Sequence, residues 1–182
     1  MYFELTIDIL SDFGIDRPQN LPTYLSFISG SVINEDVVNP MVFSTNASSV
    51  DEVPDFWGSG MPIMSQSFLT LLEQAGVNNL QKFPAVIKSD INGEVWDDYF
   101  AVNILGMIQC VDFTRSTYTE IFPGSFNFDE LAIDTSLTKD TLLFRLQESP
   151  STIIIHKSVG KYIMQSDPDG VLSGWDVKEI IQ

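Results

Sequence analysis

The side chains best suited to nucleophilic or acid–base chemistry are scarce: one histidine, His156, and one cysteine, Cys110. A histidine-based proton-transfer scheme would rest on His156 alone. It closes the apolar run Thr152-Ile153-Ile154-Ile155 beside Lys157, with no motif around it, and reads as a strand-end or capping residue. Cys110 lies in Ile108-Gln109-Cys110-Val111-Asp112, where a thiol behaves as a small hydrophobe. A single cysteine excludes an internal disulfide framework and a cysteine-based zinc cluster. There is no Gly-x-Ser-x-Gly elbow and no phosphate loop, and Gly58-Ser59-Gly60 is too short, without a basic follower, to cradle a phosphate. Carboxylates are the abundant ligands. Asp97-Asp98, Asp167 with Asp169, and Asp51 with Glu52 and Asp55 could hold a hard cation, or could pair in space for glycoside hydrolysis. Asp167-Pro168-Asp169-Gly170 opens like a calcium loop but lacks the later ligands and terminal Glu, so it reads as a turn. The residues themselves assign no catalytic group, no metal ligand set and no cofactor.

Charge points to a partner instead. The chain carries 9 Lys+Arg against 25 Asp+Glu, a formal net charge of -16. Residues 1–60 hold nine of those acids and a single base, Arg17. Such a surface repels phosphate backbones, which argues against nucleic acid, and speeds association with a basic protein. Solubility alone is the competing explanation. Trp57 in Pro54-Asp55-Phe56-Trp57-Gly58 and Trp96 in Glu94-Val95-Trp96-Asp97-Asp98 set a large ring among acids, a combination suited to an interface anchor. The candidate partner-binding residues are therefore Glu35, Asp36, Asp51, Glu52, Asp55, Trp57, Trp96, Asp97 and Asp98. The acidity belongs to a folded surface, because 13 Phe, 5 Tyr and 3 Trp require a core and disordered acidic tails are poor in aromatics.

Elements must position these groups. Residues 1–10 alternate, Phe3, Leu5, Ile7 and Ile9 against Tyr2, Glu4, Thr6 and Asp8, which predicts a half-buried strand. The same segment lacks a basic start, so no signal peptide is expected, and without one Asn46-Ala47-Ser48 carries no glycosylation meaning. No apolar run reaches the length of a membrane span. A cytoplasmic protein without membrane contact is expected. Residues 11–60 read as an irregular acidic region with apolar islands at 24–28 and 41–43. Ser65 caps a helix whose stripe is Phe68, Leu71, Leu72 and Ala75, stopped by Gly76. Phe83–Ile91 and Trp96–Leu105 form a hairpin about Asn92-Gly93, and Met107–Asp112 is expected as the third strand of an antiparallel meander. Residues 114–141 read as loop with a turn at Pro123-Gly124. Leu142–Leu146 and Thr152–His156 are strands, Ser158–Gln165 a helix, and 174–181 a last strand. The segments Ile63–Phe68 and Ile154–Val159 echo one another as two strand-to-helix junctions. The expected class is α+β: a mixed or antiparallel sheet with a hairpin meander and two or three flanking helices, in one domain over 1–182.

The order of these pieces is more telling than any one of them. Ala75-Gly76-Val77 leads to Phe83-Pro84, then to Tyr99-x-x-x-Asn103, Gln109-Cys110-Val111-Asp112, Leu143–Leu146, the unit Ile153–Gln165 and Gly170–Trp175. From residue 61 to 178 this resembles the immunity protein 11 family of bacterial polymorphic toxin systems, with residues 1–60 as a variable lead-in. His156-Lys157-Ser158 departs from the Ser-Glu helix start usual there. The resemblance implies a non-enzymatic protein that binds a cognate toxin, with HNH-type nucleases among the expected partners, and it brings no catalytic residue and no cofactor. A carboxylate- or divalent-metal-dependent hydrolase, and a regulatory or scaffold module with a non-toxin partner, are the competing readings.

Overall fold

The computed structural model describes residues 1–8, 14–16, 18, 21, 22, 25–58 and 60–182. In chain order the strands are β1 (Tyr2–Ile7), β2 (Ile15–Asp16), β3 (Met41–Thr45), β4 (Phe56–Trp57) and β5 (Ile63–Ser65). Helix α1 (Gln66–Gln74) precedes β6 (Leu80–Ser89), β7 (Val95–Ile104), β8 (Met107–Ile108), β9 (Thr117–Phe122), β10 (Ser125–Glu130), β11 (Leu143–Leu146) and β12 (Ile153–His156). Helix α2 (Lys157–Ser166) and β13 (Trp175–Glu179) complete the order. One sheet runs β13-β1-β12-β11-β8, a second β2-β3-β6-β7-β5-β4, and β9 and β10 form a ribbon of their own. The mixed α+β class is as expected.

Side-chain alternation gives each sheet two buried faces. Leu5, Leu143, Ile153 and Ile155 of the first sheet meet Met64, Val102 and Ile104 of the second in a middle core, and Phe68, Leu69, Leu72, Val159 and Ile163 of the helices fill the same core. The two helices thus share the core between the sheets instead of flanking one sheet. The opposite face of the second sheet, with Met41, Phe43, Ile63, Phe83, Ala85, Ile87, Tyr99 and Ala101, is covered by Leu25, Phe27, Ile33, Ala47 and Val53. The opposite face of the first sheet, with Tyr2, Phe144, Leu146 and Ile154, packs on Cys110, Leu131, Ile133 and Ile180.

Local signals explain the helix ends. The Ser65 hydroxyl accepts the Phe68 amide at 3.1 Å, the bond that orphan first-turn amides need. At the other end Gly76 takes φ +98°, and Val77 N–H reaches the Leu72 carbonyl while Gly76 N–H reaches that of Glu73, both at 3.0 Å. That pair is the Schellman stop. His156 caps α2, its Nδ1 accepting the Ser158 amide at 3.3 Å, so the sequence echo corresponds to two strand–cap–helix units, β5–α1 and β12–α2.

Two expectations are corrected. The hairpin β6–β7 forms about Asn92-Gly93, but the meander ends there: β8 leaves β7 and pairs in parallel with β11 of the other sheet. Gly106 at φ +94° redirects the chain, its N–H donating to the Gly30 carbonyl at 2.8 Å. The segment 114–141 is not simply loop, because β9 and β10 pair antiparallel around Pro123-Gly124. Strand β1 ends at Ile7; Ile9, Leu10, Arg17, Tyr24 and Ser59, which figured in the sequence reading, lie outside the described residues.

Candidate functional site

Tyr99 organises the first acidic neighbourhood. It is 5% exposed, and its hydroxyl donates to the Val53 carbonyl at 3.3 Å. This contact sets the 51–55 segment against β7. Burial, then the charges of Asp55 and Asp98, push the Tyr99 hydroxyl far above its ordinary pKa, so both acids stand near it. At the β6–β7 turn, Asp90 N–H donates to the Thr45 carbonyl at 2.9 Å, Ser89 Oγ to the Ala47 carbonyl at 2.6 Å, and Asn92 Nδ2 to the Ser48 carbonyl at 2.9 Å. The turn is thereby tied to the chain that leads into Asp51. Asp51, Asp90, Glu94, Asp97 and Asp98 are all exposed along this rim, together with Ile91 at 67% and Val95 at 55%, and Lys88 on the adjacent strand. Asp90 and Glu94 escaped the sequence reading; their position on either side of the Asn-Gly turn was the available signal.

Other candidates are placed differently. Glu52 closes a capping box, accepting the Ser48 and Ser49 amides, and the Ser48 backbone bond lowers its pKa. Asp55 accepts the Ser65 hydroxyl and the Ser173 amide, so its carboxylate is already engaged in the fold. Glu35 and Asp36 are exposed but belong to the opposite end of β6: neighbouring Ile33 exchanges hydrogen bonds with Gln81, at 2.9 and 2.7 Å. Gln81 to Ser89 along a strand is about 26 Å. The segment that carries Asp51 is thus bonded to the hairpin that carries Asp97 and Asp98, whereas 35–36 lie toward the other end of β6. Trp57 and Trp96 are half-buried against the core beneath the lead-in segment. Trp57 also lines a cavity of about 460 Å³ with Leu25, Phe27, Phe43, Met61 and Ile63; among the described residues no acid, histidine or cysteine belongs to its lining.

The nucleophile-type residues have structural tasks. Cys110 is 1% exposed, and burial, followed by the charges of Glu148 and Asp134, pushes its thiol up to about 12. His156 caps α2 and stacks edge-on to Tyr2 at 4.9 Å. Among the described residues no group of three His, Cys, Asp or Glu is disposed to hold a metal ion, and no helix is long and apolar enough to cross a membrane.

Asp112 shows how a single acid organises a loop. Its carboxylate accepts Thr114 Oγ1 at 2.6 Å, Thr114 N at 3.0 Å and Arg115 Nε at 2.6 Å. The Thr114 hydroxyl, then Arg115, draw its pKa down to about 2. Because the folded value is depressed, this contribution to stability is present above the ordinary carboxylate range and is lost as pH falls toward 2. A carboxyl-carbon NMR titration should show an Asp112 midpoint near pH 2; a midpoint near 4 would contradict the hydrogen-bond set.

The motif residues of the sequence resemblance prove to be anchors. Phe83 stacks on Phe27 at 5.6 Å, Tyr99 holds Val53, and Asn103 Nδ2 donates to the Ser31 carbonyl at 2.8 Å. All three fasten the 25–53 segment to the second sheet. A family model described as an immunity protein family, Imm11, matches residues 10–180, reaching well upstream of residue 61. The sequence matches no curated protein. The chain belongs to the Imm11 immunity protein family.

Proposed function

We propose that this chain is a non-enzymatic cytoplasmic protein, one immunity-type domain over residues 1–182, that binds and neutralises a cognate toxin through its acidic surface. Family membership supports an immunity role. The observation that supports this choice of surface is the bonding of the β6–β7 turn, with exposed Asp90 and Glu94, to the chain leading into Asp51, on the hairpin whose β7 carries exposed Asp97 and Asp98. Such a rim complements a basic cleft, so a phosphate-binding toxin, with HNH-type nucleases first, is the class to test. Glu35 and Asp36 offer a second acidic site, and Trp57 and Trp96 contribute ring edges at most.

The test is a triple charge reversal, Asp51→Lys, Asp97→Lys and Asp98→Lys, assayed by surface plasmon resonance against the product of the adjacent reading frame. Association should slow at least about tenfold at low salt, with dissociation little altered, because exposed charges act on encounter. Reversal of Glu35 and Asp36 serves as the control for a second site. Unchanged association by the triple variant would remove the rim from the interface, and failure of the chain to relieve the neighbour's toxicity on co-expression would remove the immunity function itself.

A further inference from the structure

The β9–β10 ribbon is joined to the core beside the first sheet through Phe128. It pairs with neither large sheet, and every residue of β9 is exposed. Yet it is rich in aromatics. Phe113, Tyr118, Phe126 and Phe128 form a continuous ring cluster, with centroids 4.8 Å apart for Phe113–Phe126, 5.1 Å for Phe113–Tyr118 and 5.4 Å for Tyr118–Phe126. Edge-on packing of this kind stiffens the ribbon along its length. The ribbon is also tethered near its turn, where Phe126 N–H donates to the Glu148 carbonyl at 3.2 Å, and at its root, where Asp112 holds Thr114 and Arg115.

What the stiff ribbon presents is its tip. Ile121 is 55% exposed and Phe122 70%, and Phe122 is the exposed phenylalanine among the described residues. With exposed Pro123 they make this end of the ribbon apolar, and the β9 bulge at Ile121 re-aims the strand there, a shape for a cleft and not for a flat surface. From residue 116 to 138 the chain carries Glu120, Asp129, Glu130 and Asp134 and no base. Lys178 reaches only the ribbon's root, at the Asp129 carbonyl. A second copy of this chain would bring a like-charged ribbon on a body of charge -16, so self-pairing here is opposed.

We propose that the β9–β10 ribbon is the affinity anchor of this protein: Ile121 and Phe122 insert into an apolar cleft, rimmed by basic residues, on the toxin. The inference rests on the toxin-binding reading and adds a division of labour to it. The acidic rim governs encounter, and the preorganised apolar tip governs how long the complex lasts, since a rigid element loses little freedom on docking and buried aromatic anchors dominate interface energetics.

The full chain carrying Ile121→Ala and Phe122→Ala is compared with the unsubstituted chain, by plasmon resonance, on a catalytically inactive form of the adjacent reading frame's product. The tip contributes nothing to a core, so the melting temperature should stay unchanged, which keeps the binding result interpretable. Dissociation should accelerate at least about 30-fold with association little changed, in line with loss of an aromatic hot spot; Phe122→Trp should retain slow dissociation. If the unsubstituted chain binds and the double variant dissociates within threefold of it, the anchor is overturned while toxin binding stands. If the unsubstituted chain does not bind the neighbour, the toxin-binding reading fails and takes the anchor with it. Self-association of the free chain, abolished by the double substitution in sedimentation velocity, would make a second copy the occupant and overturn the proposal.

Discussion

Gly174→Ala is expected to destabilise the protein by about 3–5 kcal/mol, from a left-handed backbone penalty of about 1–2 and an overpacking cost of similar or larger size. Gly174 takes φ +82°, and a Cβ there would strike the Pro54 side chain and stand 2.5 Å from the Phe56 carbonyl oxygen. Those neighbours have little room to yield. Ser173 O accepts both the Asp55 and Phe56 amides, at 3.0 and 3.3 Å, and Ser173 N donates to the Asp55 carboxylate at 2.9 Å. Gly174 O in turn accepts the Asp8 amide at 3.0 Å. This short stretch therefore clamps the strand that enters β13, in one sheet, to β4, in the other. For a chain of this size the cost corresponds to a fall in melting temperature of roughly 6–20 °C. Gly124→Ala supplies the control: its φ is +80° but nothing lies within contact of an added Cβ, so it should show the backbone penalty alone. Thermal melts by circular dichroism distinguish the two sites. Equal losses at 124 and 174 would mean that the clamp tolerates a methyl group and that the contact of Gly174 with Pro54 and Phe56 is unimportant.

The same stretch shows what a sequence reveals and what it hides. Gly170–Trp175 was visible as a motif, but its reason, Pro54 and the Phe56 carbonyl more than a hundred residues away, was not. Signals that act within one turn of chain were legible: Ser65 as cap, the Phe68–Leu72 stripe, Gly76 as stop, Asn92-Gly93 as hairpin turn. Signals that depend on distant partners were not. Met107 and Ile108 form a two-residue strand, too short to carry a pairing preference, and their partners Arg145 and Leu146 lie far along the chain. Strands β9 and β10 do alternate, Tyr118, Phe126 and Phe128 against Thr117, Thr119, Asn127 and Asp129, but each run is only six residues long and rich in polar side chains, so Pro123-Gly124 was the signal that stood out. In residues 25–53, Leu25, Phe27, Ile33, Phe43 and Val53 look like separate islands until β6 and β7 gather them into one core. The candidate site divides in the same way. Its acids were evident individually, but the bonding of the Asp51 segment to the hairpin of Asp97 and Asp98 follows from Tyr99 meeting Val53 and Asn92 meeting Ser48, neither of which is local.

Asn103→Asp should be the most informative substitution in that gathering. Asn103 is fully buried on β7, and its amide nitrogen donates to the Ser31 carbonyl at 2.8 Å and to Gln81 Oε1 at 3.1 Å. Gln81 then grips Ile33 by both backbone groups, so Asn103 is the root of the network that holds the lead-in segment to the sheet. Aspartate has the same shape but replaces a donor of two hydrogens with an acceptor facing two acceptors. A buried, uncompensated carboxylate of this kind costs about 3–5 kcal/mol. The pH signature identifies the cause. The new carboxyl would have a folded pKa raised above its unfolded value near 4. Below that value it is protonated in both states and the charge penalty vanishes; as pH rises above it, the penalty grows until the folded pKa is passed. Urea unfolding at pH 4 and pH 7 should therefore show a deficit, relative to the unsubstituted chain, that is small at the lower pH and large at the higher. Asn103→Ala, which removes the donor without adding charge, should show one deficit at both. The lead-in carries Asp51 as well as Glu35 and Asp36, so loosening it at neutral pH should also slow toxin association, although residue 103 never reaches the surface. A deficit for Asn103→Asp that does not change with pH would show that the side chain at 103 faces something other than the Ser31 and Gln81 oxygens.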